Sequence, residues 1–334
     1  MEEVKVSIIC LVYNHEKYIE KCLDSLVNQK TSFSYEVLIH DDASTDRSAD
    51  IIHEYEKKYP DIIKPIYQTE NQYSKGVKIT PTFLLPRAKG KYLAWCEGDD
   101  YWCDEYKLQC QFNAMERNQQ CAICVHNTNC VNEDGSNNER YFPSSCFQDG
   151  VIDSKKILEK YPDWTFHLTS FFIRKEVVYD LYYNNKLLVK TSPVGDLLLQ
   201  YFSATKGNYF YINRNMSCYR LFSENSWTKR LKENNDTFIA TTNRFIQFAK
   251  VFSEYLNIRF NNEFNDVISE AISEYEIQIL LHQKNYKKIN KYKKSKYFKT
   301  LNRKLRIIIV LSKILPFFEI VYNKFRLKSK KDFK

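Results

Sequence analysis

Leu93-Ala94-Trp95-Cys96-Glu97-Gly98-Asp99-Asp100-Tyr101-Trp102 is an apolar run that ends abruptly in three carboxylates. A buried strand reads this way when it delivers acidic side chains to the C-terminal edge of a sheet. Adjacent carboxylates repel one another, so a site that gathers them usually holds a cation. Hard oxygen ligands suit Mg²⁺ or Mn²⁺, and those ions in turn suit a diphosphate. Taken alone, the triplet fits a solvated acidic turn equally well.

Two upstream segments favour the site. Val6-Ser7-Ile8-Ile9-Cys10-Leu11-Val12-Tyr13-Asn14 is a buried strand running into an aromatic and an amide. Tyr35-Glu36-Val37-Leu38-Ile39-His40-Asp41-Asp42-Ala43-Ser44-Thr45-Asp46 is a second apolar strand ending in acid, followed by a turn able to cap a helix. Parallel strands that present polar tips at one edge form the ligand-binding geometry of an open α/β sheet. Tyr13 offers a flat face to a base, and Asp42 an acceptor for a pyrimidine N–H. The Glu97–Asp100 cluster supplies ligands for a metal on the diphosphate.

The order of these motifs resembles the nucleotide-binding half of glycosyltransferase family 2, which has the GT-A fold. Val12-Tyr13-Asn14, Asp41-Asp42-Ala43-Ser44-Thr45-Asp46 and Glu97-Gly98-Asp99-Asp100 fall on the family's motifs in sequence, and the resemblance spans residues 4–222. It implies an α/β, Rossmann-like, mostly parallel sheet flanked by helices. Val12, Tyr13, Asn14, Asp42 and Asp99 are then the nucleotide-sugar contacts. Asp99 is the principal metal ligand, with Glu97 standing where the family usually has Asp. Asp196, in the Gly195-Asp196 pair that opens an apolar helix, is implied as catalytic base; by residue type alone it is equally a helix cap. Arg220, in Met216-Ser217-Cys218-Tyr219-Arg220-Leu221-Phe222, is expected to reach the diphosphate. Phe222 stands where some relatives carry a histidine. Asp100, Trp102, His167 and Trp227 complete the expected acceptor or diphosphate contacts. His167 also reads as a structural histidine at a strand start. The family's donor-contacting arginine has no clear register here, and Lys78 or Arg87 is its substitute.

The reaction implied is inverting transfer of a sugar from a UDP-sugar to a hydroxyl, dependent on Mn²⁺ or Mg²⁺. The expected acceptor is a glycan, carried on a lipid diphosphate, in surface-polysaccharide synthesis. With only seven glycines, the chain has neither a Walker loop nor a G-x-G-x-x-G fingerprint. That disfavours a nucleotidylyltransferase, one alternative. A non-catalytic sugar-nucleotide-binding assembly subunit is the other.

The 334 residues, 43% hydrophobic and 15% aromatic, suffice for one large α/β domain and an appendage. The expected division is a catalytic domain over 1–228, with a nucleotide-sugar half over 1–130 and an acceptor half over 131–228, then a helical extension over 229–334. Helices are predicted over Glu16–Asn28, Ser48–Tyr59, Thr82–Ala88, Glu105–Arg117 and Lys175–Asn184. Strands are predicted over Ile63–Tyr67, Tyr92–Cys96, Cys121–Cys130 and Phe171–Arg174. The ten cysteines are irregularly spaced, and no signal peptide is read before Val4, so a reducing cytoplasm is expected. Cys121, Cys124 and His126 have zinc-like spacing but no second pair, which favours a buried strand.

The net charge of +9 comes largely from the C-terminal third, including the basic run Lys284–Lys299. Leu305–Val321 is strongly apolar but shorter than the ~20 residues of a span, and Pro316 breaks it. A helix near 303–326 lying in the membrane interface, flanked by basic residues, is expected. Docking onto the catalytic domain is the alternative. Peripheral attachment to the inner face of the plasma membrane would follow. No nucleic-acid motif accompanies the basic run, and no nucleic-acid partner is expected.

Overall fold

A computed structural model describes residues 3–144, 147–221 and 234–314. The chain divides into two compact units: Met1–Val189 with Val194–Lys229, and Lys190–Pro193 with Arg230–Lys334.

The first unit begins with alternating strands and helices: β1 (Val4–Val12), α1 (Ile19–Val27), β2 (Ser34–Asp41), α2 (Ser48–Lys58), β3 (Ile63–Tyr67) and β4 (Tyr92–Trp95). The remaining strands are β5 (Tyr101–Trp102), β6 (Cys121–Val131), β7 (Asn137–Phe142), β8 (Gly150–Ile152), β9 (Phe172–Arg174) and β10 (Asn208–Arg220). Among them lie α3 (Lys107–Arg117), α4 (Ser154–Leu158), α5 (Lys175–Tyr179), α6 (Lys186–Thr191) and α7 (Gly195–Ala204). The sheet runs β3-β2-β1-β4-β9-β6-β10-β5, with β7 on β6 and β8 on β10. Its longest pairings, β1 with β2 and β6 with β10, are parallel. The antiparallel β9 joins the parallel block β3-β2-β1-β4 to β6.

Local chemistry explains why these elements form. α1 buries Ile19, Cys22, Leu23, Leu26 and Val27, the i, i+3, i+4, i+7, i+8 stripe of a helix lying on a sheet. Strands β1 and β4 are buried on both faces, and so read as continuous apolar runs rather than alternating ones. Gly90 is required where the loop before β4 crosses β1, because a Cβ there would lie 2.5 Å from the Ser7 nitrogen. Ser7 and Glu36 hold that crossing. The Gly90 N–H donates to Ser7 Oγ at 2.9 Å, and Ser7 Oγ donates to Glu36 at 2.7 Å.

Several boundaries differ from expectation. The first helix starts at Ile19 rather than Glu16, because Glu16 turns back to accept the Arg47 N–H. The predicted helix Thr82–Ala88 is a π turn, Thr80–Leu84, followed by a 3₁₀ turn, Leu85–Arg87; Pro81 and Pro86 each remove a backbone donor. Lys175–Asn184 likewise divides, into α5 and a π turn over Asp180–Asn184.

The second unit is helical. Asn235–Phe260 starts at an Asn234 cap, whose side chain accepts the Thr237 N–H, and ends at Asn261 with a left-handed φ of 45°. Helix Asn265–His282 follows, then the short helices Tyr286–Ile289 and Lys296–Thr300, then Arg303–Ile314. Ile277, Tyr286, Ile289, Phe298 and Ile309 form a core of this unit. Ile309 is fully buried there, whereas Ile307 and Val310 remain exposed. No helix among the described residues is long and apolar enough to cross a membrane. Residues 315–326 of the expected interface helix lie outside the described residues.

Candidate active site

Register places the tips of three strands side by side. Val12 pairs with Asp41, and Ile9 with Trp95, so the loops after β1, β2 and β4 emerge at one edge. The first two loops are laced together by backbone-to-side-chain bonds. Asn14 takes a left-handed φ of 57°, tolerated by an Asn side chain that bonds locally. Its N–H donates to Ser44 Oγ at 2.9 Å, and its Oδ1 accepts the Thr45 N–H at 2.8 Å. The His15 N–H donates to Ser48 Oγ at 2.8 Å. Val12 is buried, and Tyr13 is 39% exposed with an open ring. Both Asp42 oxygens accept backbone N–H groups, from Gln72 at 2.8 Å and Tyr73 at 3.0 Å. Asp42 therefore anchors the following loop.

The third loop carries the acidic cluster. Carboxylate oxygens of Glu97, Asp99 and Asp100 lie within 4.8 Å of one another, the one such metal-ligand group among the described residues. Gly98 makes the arrangement possible. Its N–H donates to Leu11 O at 2.9 Å, and a Cβ would sit 2.7 Å from His15 Nδ1. Burial, then repulsion from Asp99 and from Asp196, pushes the Glu97 carboxyl up to about 8. Burial and the Asp99 charge hold Asp100 well above the usual carboxylate range, partly offset by the Arg220 N–H. Asp100 Oδ1 accepts that N–H at 2.8 Å, while Oδ2 is buried with no hydrogen-bond partner. Crowded, desolvated carboxylates with an orphaned oxygen are a donor set that a hard divalent cation satisfies.

Arg220 corrects the sequence reading. Rather than reaching out toward a diphosphate, it is 4% exposed and fastens loops. Nε donates to Asp99 O at 3.0 Å, and Nη1 donates to Glu133 O at 2.6 Å and Asn132 O at 3.2 Å. Its guanidinium stacks 4.6 Å from the Tyr18 ring centroid, and the Tyr18 hydroxyl donates to Glu133 at 2.9 Å. Trp102 is a second correction. It is 3% exposed and belongs to the hydrophobic core, so its ring is packing rather than an acceptor contact. The Lys107 ammonium sits 3.8 Å from that ring centroid.

Asp196 lies in the first turn of α7, and its charge is the smallest of the causes that raise the Glu97 carboxyl. Its Oδ2 accepts Trp164 Nε1–H at 2.9 Å, and its Oδ1 accepts the Leu197 N–H at 2.8 Å. Burial nevertheless raises its pKa. Trp164 was not singled out in the sequence, because nothing in its spacing marks it. His167 is partly buried and stacks on Tyr219 with centroids 3.9 Å apart. Its Nδ1 accepts the Thr169 N–H at 3.3 Å, which leaves the proton of a neutral ring on Nε2. Burial drives its pKa down to about 3, against a smaller pull from Asp99. Behind it, buried Thr169, Ser217 and Thr128 hydroxyls form a chain, with Oγ separations of 2.9 and 2.8 Å. Cys121 and Cys124 are buried in β6 beside the buried His126 and form no ligand cluster. Trp227 lies outside the described residues.

A mixed α/β sheet that gathers acidic tips at one edge has the ligand-binding arrangement of an open α/β sheet. The match to the family described as "Glycosyl transferase family 2" covers residues 7–182, more than half of the chain, and the chain belongs to that family. It is 40% identical over 149 residues to an uncharacterized protein of Mycobacterium tuberculosis, covering 45% of this chain and 42% of that protein. It is 39% identical over 117 residues to a poly(ribitol-phosphate) beta-glucosyltransferase of Bacillus spizizenii, covering 35% of this chain and 18% of that protein. The chain thus spans less than half the length of these curated relatives. In fold it resembles S. aureus TarS 1-349 in complex with UDP-GlcNAc, with a TM-score of 0.57 at 16% identity, covering 92% of this chain and 91% of that one.

Proposed function

We propose that the protein is an inverting glycosyltransferase that moves a hexose from a UDP-sugar to a hydroxyl of a surface-glycan acceptor. The observation that carries the reading is the Glu97–Asp99–Asp100 carboxylate cluster after β4, a metal-ligand set for which Asp196 at the start of α7 is the base candidate. The activity in the name of the Bacillus relative, glucosyl transfer to poly(ribitol phosphate), supports the class of acceptor.

In this reading Tyr13 stacks on the base, while Val12, Asn14 and Asp42 shape the nucleoside pocket. Glu97, Asp99 and Asp100 would hold Mn²⁺ or Mg²⁺, which would supply charge neutralisation at the diphosphate. Asp196 takes the acceptor proton as its oxygen attacks the anomeric carbon. An elevated pKa suits that task, since a stronger base removes the proton more readily. Trp164 holds the carboxylate in place, a positioning task worth as much as basicity when the attack must be in line. Attack opposite the leaving group inverts the anomeric carbon. His167 and Tyr219 form an aromatic wall suited to one face of a sugar. Lipid-diphosphate carriage of the acceptor and peripheral attachment at the inner membrane face belong to the same proposal, and rest on the apolar stretch flanked by basic residues.

Asp196→Asn tests the reading. UDP-sugar affinity should stay nearly unchanged while turnover falls roughly 10²-fold or more, the usual worth of a positioned base. Unchanged turnover in the folded variant would reduce Asp196 to a helix-terminal carboxylate.

A further inference from the structure

The helical second unit carries a cavity of about 630 Å³ that the reaction proposed above does not use. Helices Asn235–Phe260 and Asn265–His282 and the two short helical turns that follow them build it. Lys250 comes from Asn235–Phe260, whereas Lys287, Lys288 and Lys291 come from the short helical turns after residue 285. Only one acid, Glu276, lines the cavity with these four lysines, and it accepts the Tyr292 hydroxyl. Among the described residues no ion pair engages Lys250, Lys288 or Lys291. Like charges gathered around one concavity set up a positive potential that attracts an anion, more strongly at low salt. All four side chains are exposed, so each charge alone is solvated, and it is their convergence from separate helices on one concavity that a polyanion can use. Here the basic run folds back so that three of its lysines meet a fourth from another helix.

The rest of the lining narrows the ligand. Asn243 adds an amide, and Ile246, Ile279 and Leu280 add apolar floor. A carboxylate among lysines is unfavourable for a bare phosphate but useful for a ligand that also carries hydroxyls, which donate to it. Lysine is a point-charge donor with three protons, suited to phosphate oxygens in varied orientations. We infer that this cavity is a binding site for a polyol-phosphate chain, and that the second unit thereby holds an anionic, phosphate-bearing acceptor. The acceptor role rests on the glycosyl-transfer reading; the binding does not.

The full-length protein is titrated calorimetrically with a synthetic glycerol-phosphate oligomer, inorganic phosphate, free glycerol, and vesicles of phosphatidylglycerol in phosphatidylcholine. The oligomer should bind, more weakly as salt rises, and glycerol should not. Lys288→Glu with Lys291→Glu should weaken oligomer binding at least about tenfold, the worth of one lost charge-assisted contact. The milder Lys250→Gln should weaken it by a smaller factor with its circular dichroism unchanged, which keeps the test decisive if the double variant misfolds. Donor turnover on a short phosphate-free acceptor should be the same in all forms. Oligomer binding that is absent, or equal in wild type and variants, would overturn the site. So would inorganic phosphate binding as tightly as the oligomer, or vesicle binding that the lysine variants lose while oligomer binding is unchanged. If the oligomer binds as described while no form turns over donor, the glycosyl-transfer reading fails and the site stands.

Discussion

Asp99 is the residue on which donor binding turns. It stands between Gly98, whose missing side chain lets the loop lie against His15, and Asp100, whose Oδ1 is tied to the Arg220 backbone. The loop is thus held from both sides, and its carboxylates are preorganised rather than gathered by the ion. Asp99→Ala should weaken Mn²⁺ binding, measured by calorimetry, by tenfold or more, since a metal ligand contributes at least about 1.4 kcal/mol. Wild-type turnover should vanish with a chelator and return with Mn²⁺ or Mg²⁺. Full turnover in excess chelator would remove the metal from the mechanism. The acidic triplet was readable because an apolar strand cannot end in three carboxylates without reason. What lay beyond reading was the fate of Arg220 and Trp102. Composition marks both as ligand-binding types, and only the packing of β10 and β5 against α1 and α3 shows that protein carbonyls and a lysine already occupy them.

The helix α3 holds a charge where its sequence suggests a surface. Lys107 is fully buried, donates to Gln111 Oε1 at 2.8 Å, and lies over Trp102. Burial brings its pKa down to about 7. In the unfolded chain the same amine titrates near ~10.4. Between those values the unfolded state holds a proton that the folded state has released, so this residue makes stability rise with pH from about 7 to about 10. Below pH 7 both states are protonated and the full cost of the buried charge remains. Lys107→Met should flatten that slope, seen as a smaller difference in thermal midpoint between pH 7 and pH 9.5. An unchanged slope would mean that the amine is hydrated in solution. Elements such as α1 and β4 were legible from apolar spacing alone. The π turns at Thr80–Leu84 and Asp180–Asn184 were not, because helical spacing looks the same whether the next hydrogen bond closes at four residues or five.

At the scale of the molecule, the charge excess and the apolar stretch after residue 304 pose the question of attachment. Ile309 is satisfied within the second unit, whereas Ile307 and Val310 are exposed. Deleting residues 303–334 should abolish binding to phosphatidylglycerol vesicles while leaving transfer to a soluble acceptor mimic. Each lysine near such a surface adds about 1 kcal/mol, so wild-type binding should weaken in high salt. Aggregation of the truncated form, with full-length protein that ignores vesicles, would make the segment a structural cover. The sheet carries one more consequence, which concerns synthesis. β6 takes its long parallel partner β10 almost eighty residues later in the chain, and among the described residues β5 pairs only with β10. While the ribosome is still making the intervening residues, β6 has one edge open and the acidic loop lacks its Arg220 fastening. An open edge is an aggregation template. Nascent chains that stall between residues 131 and 208, or fragments cut at 182 where the family match ends, therefore emerge as sticky intermediates, and a chaperone's grip on this protein is expected to last until β10 has left the exit tunnel.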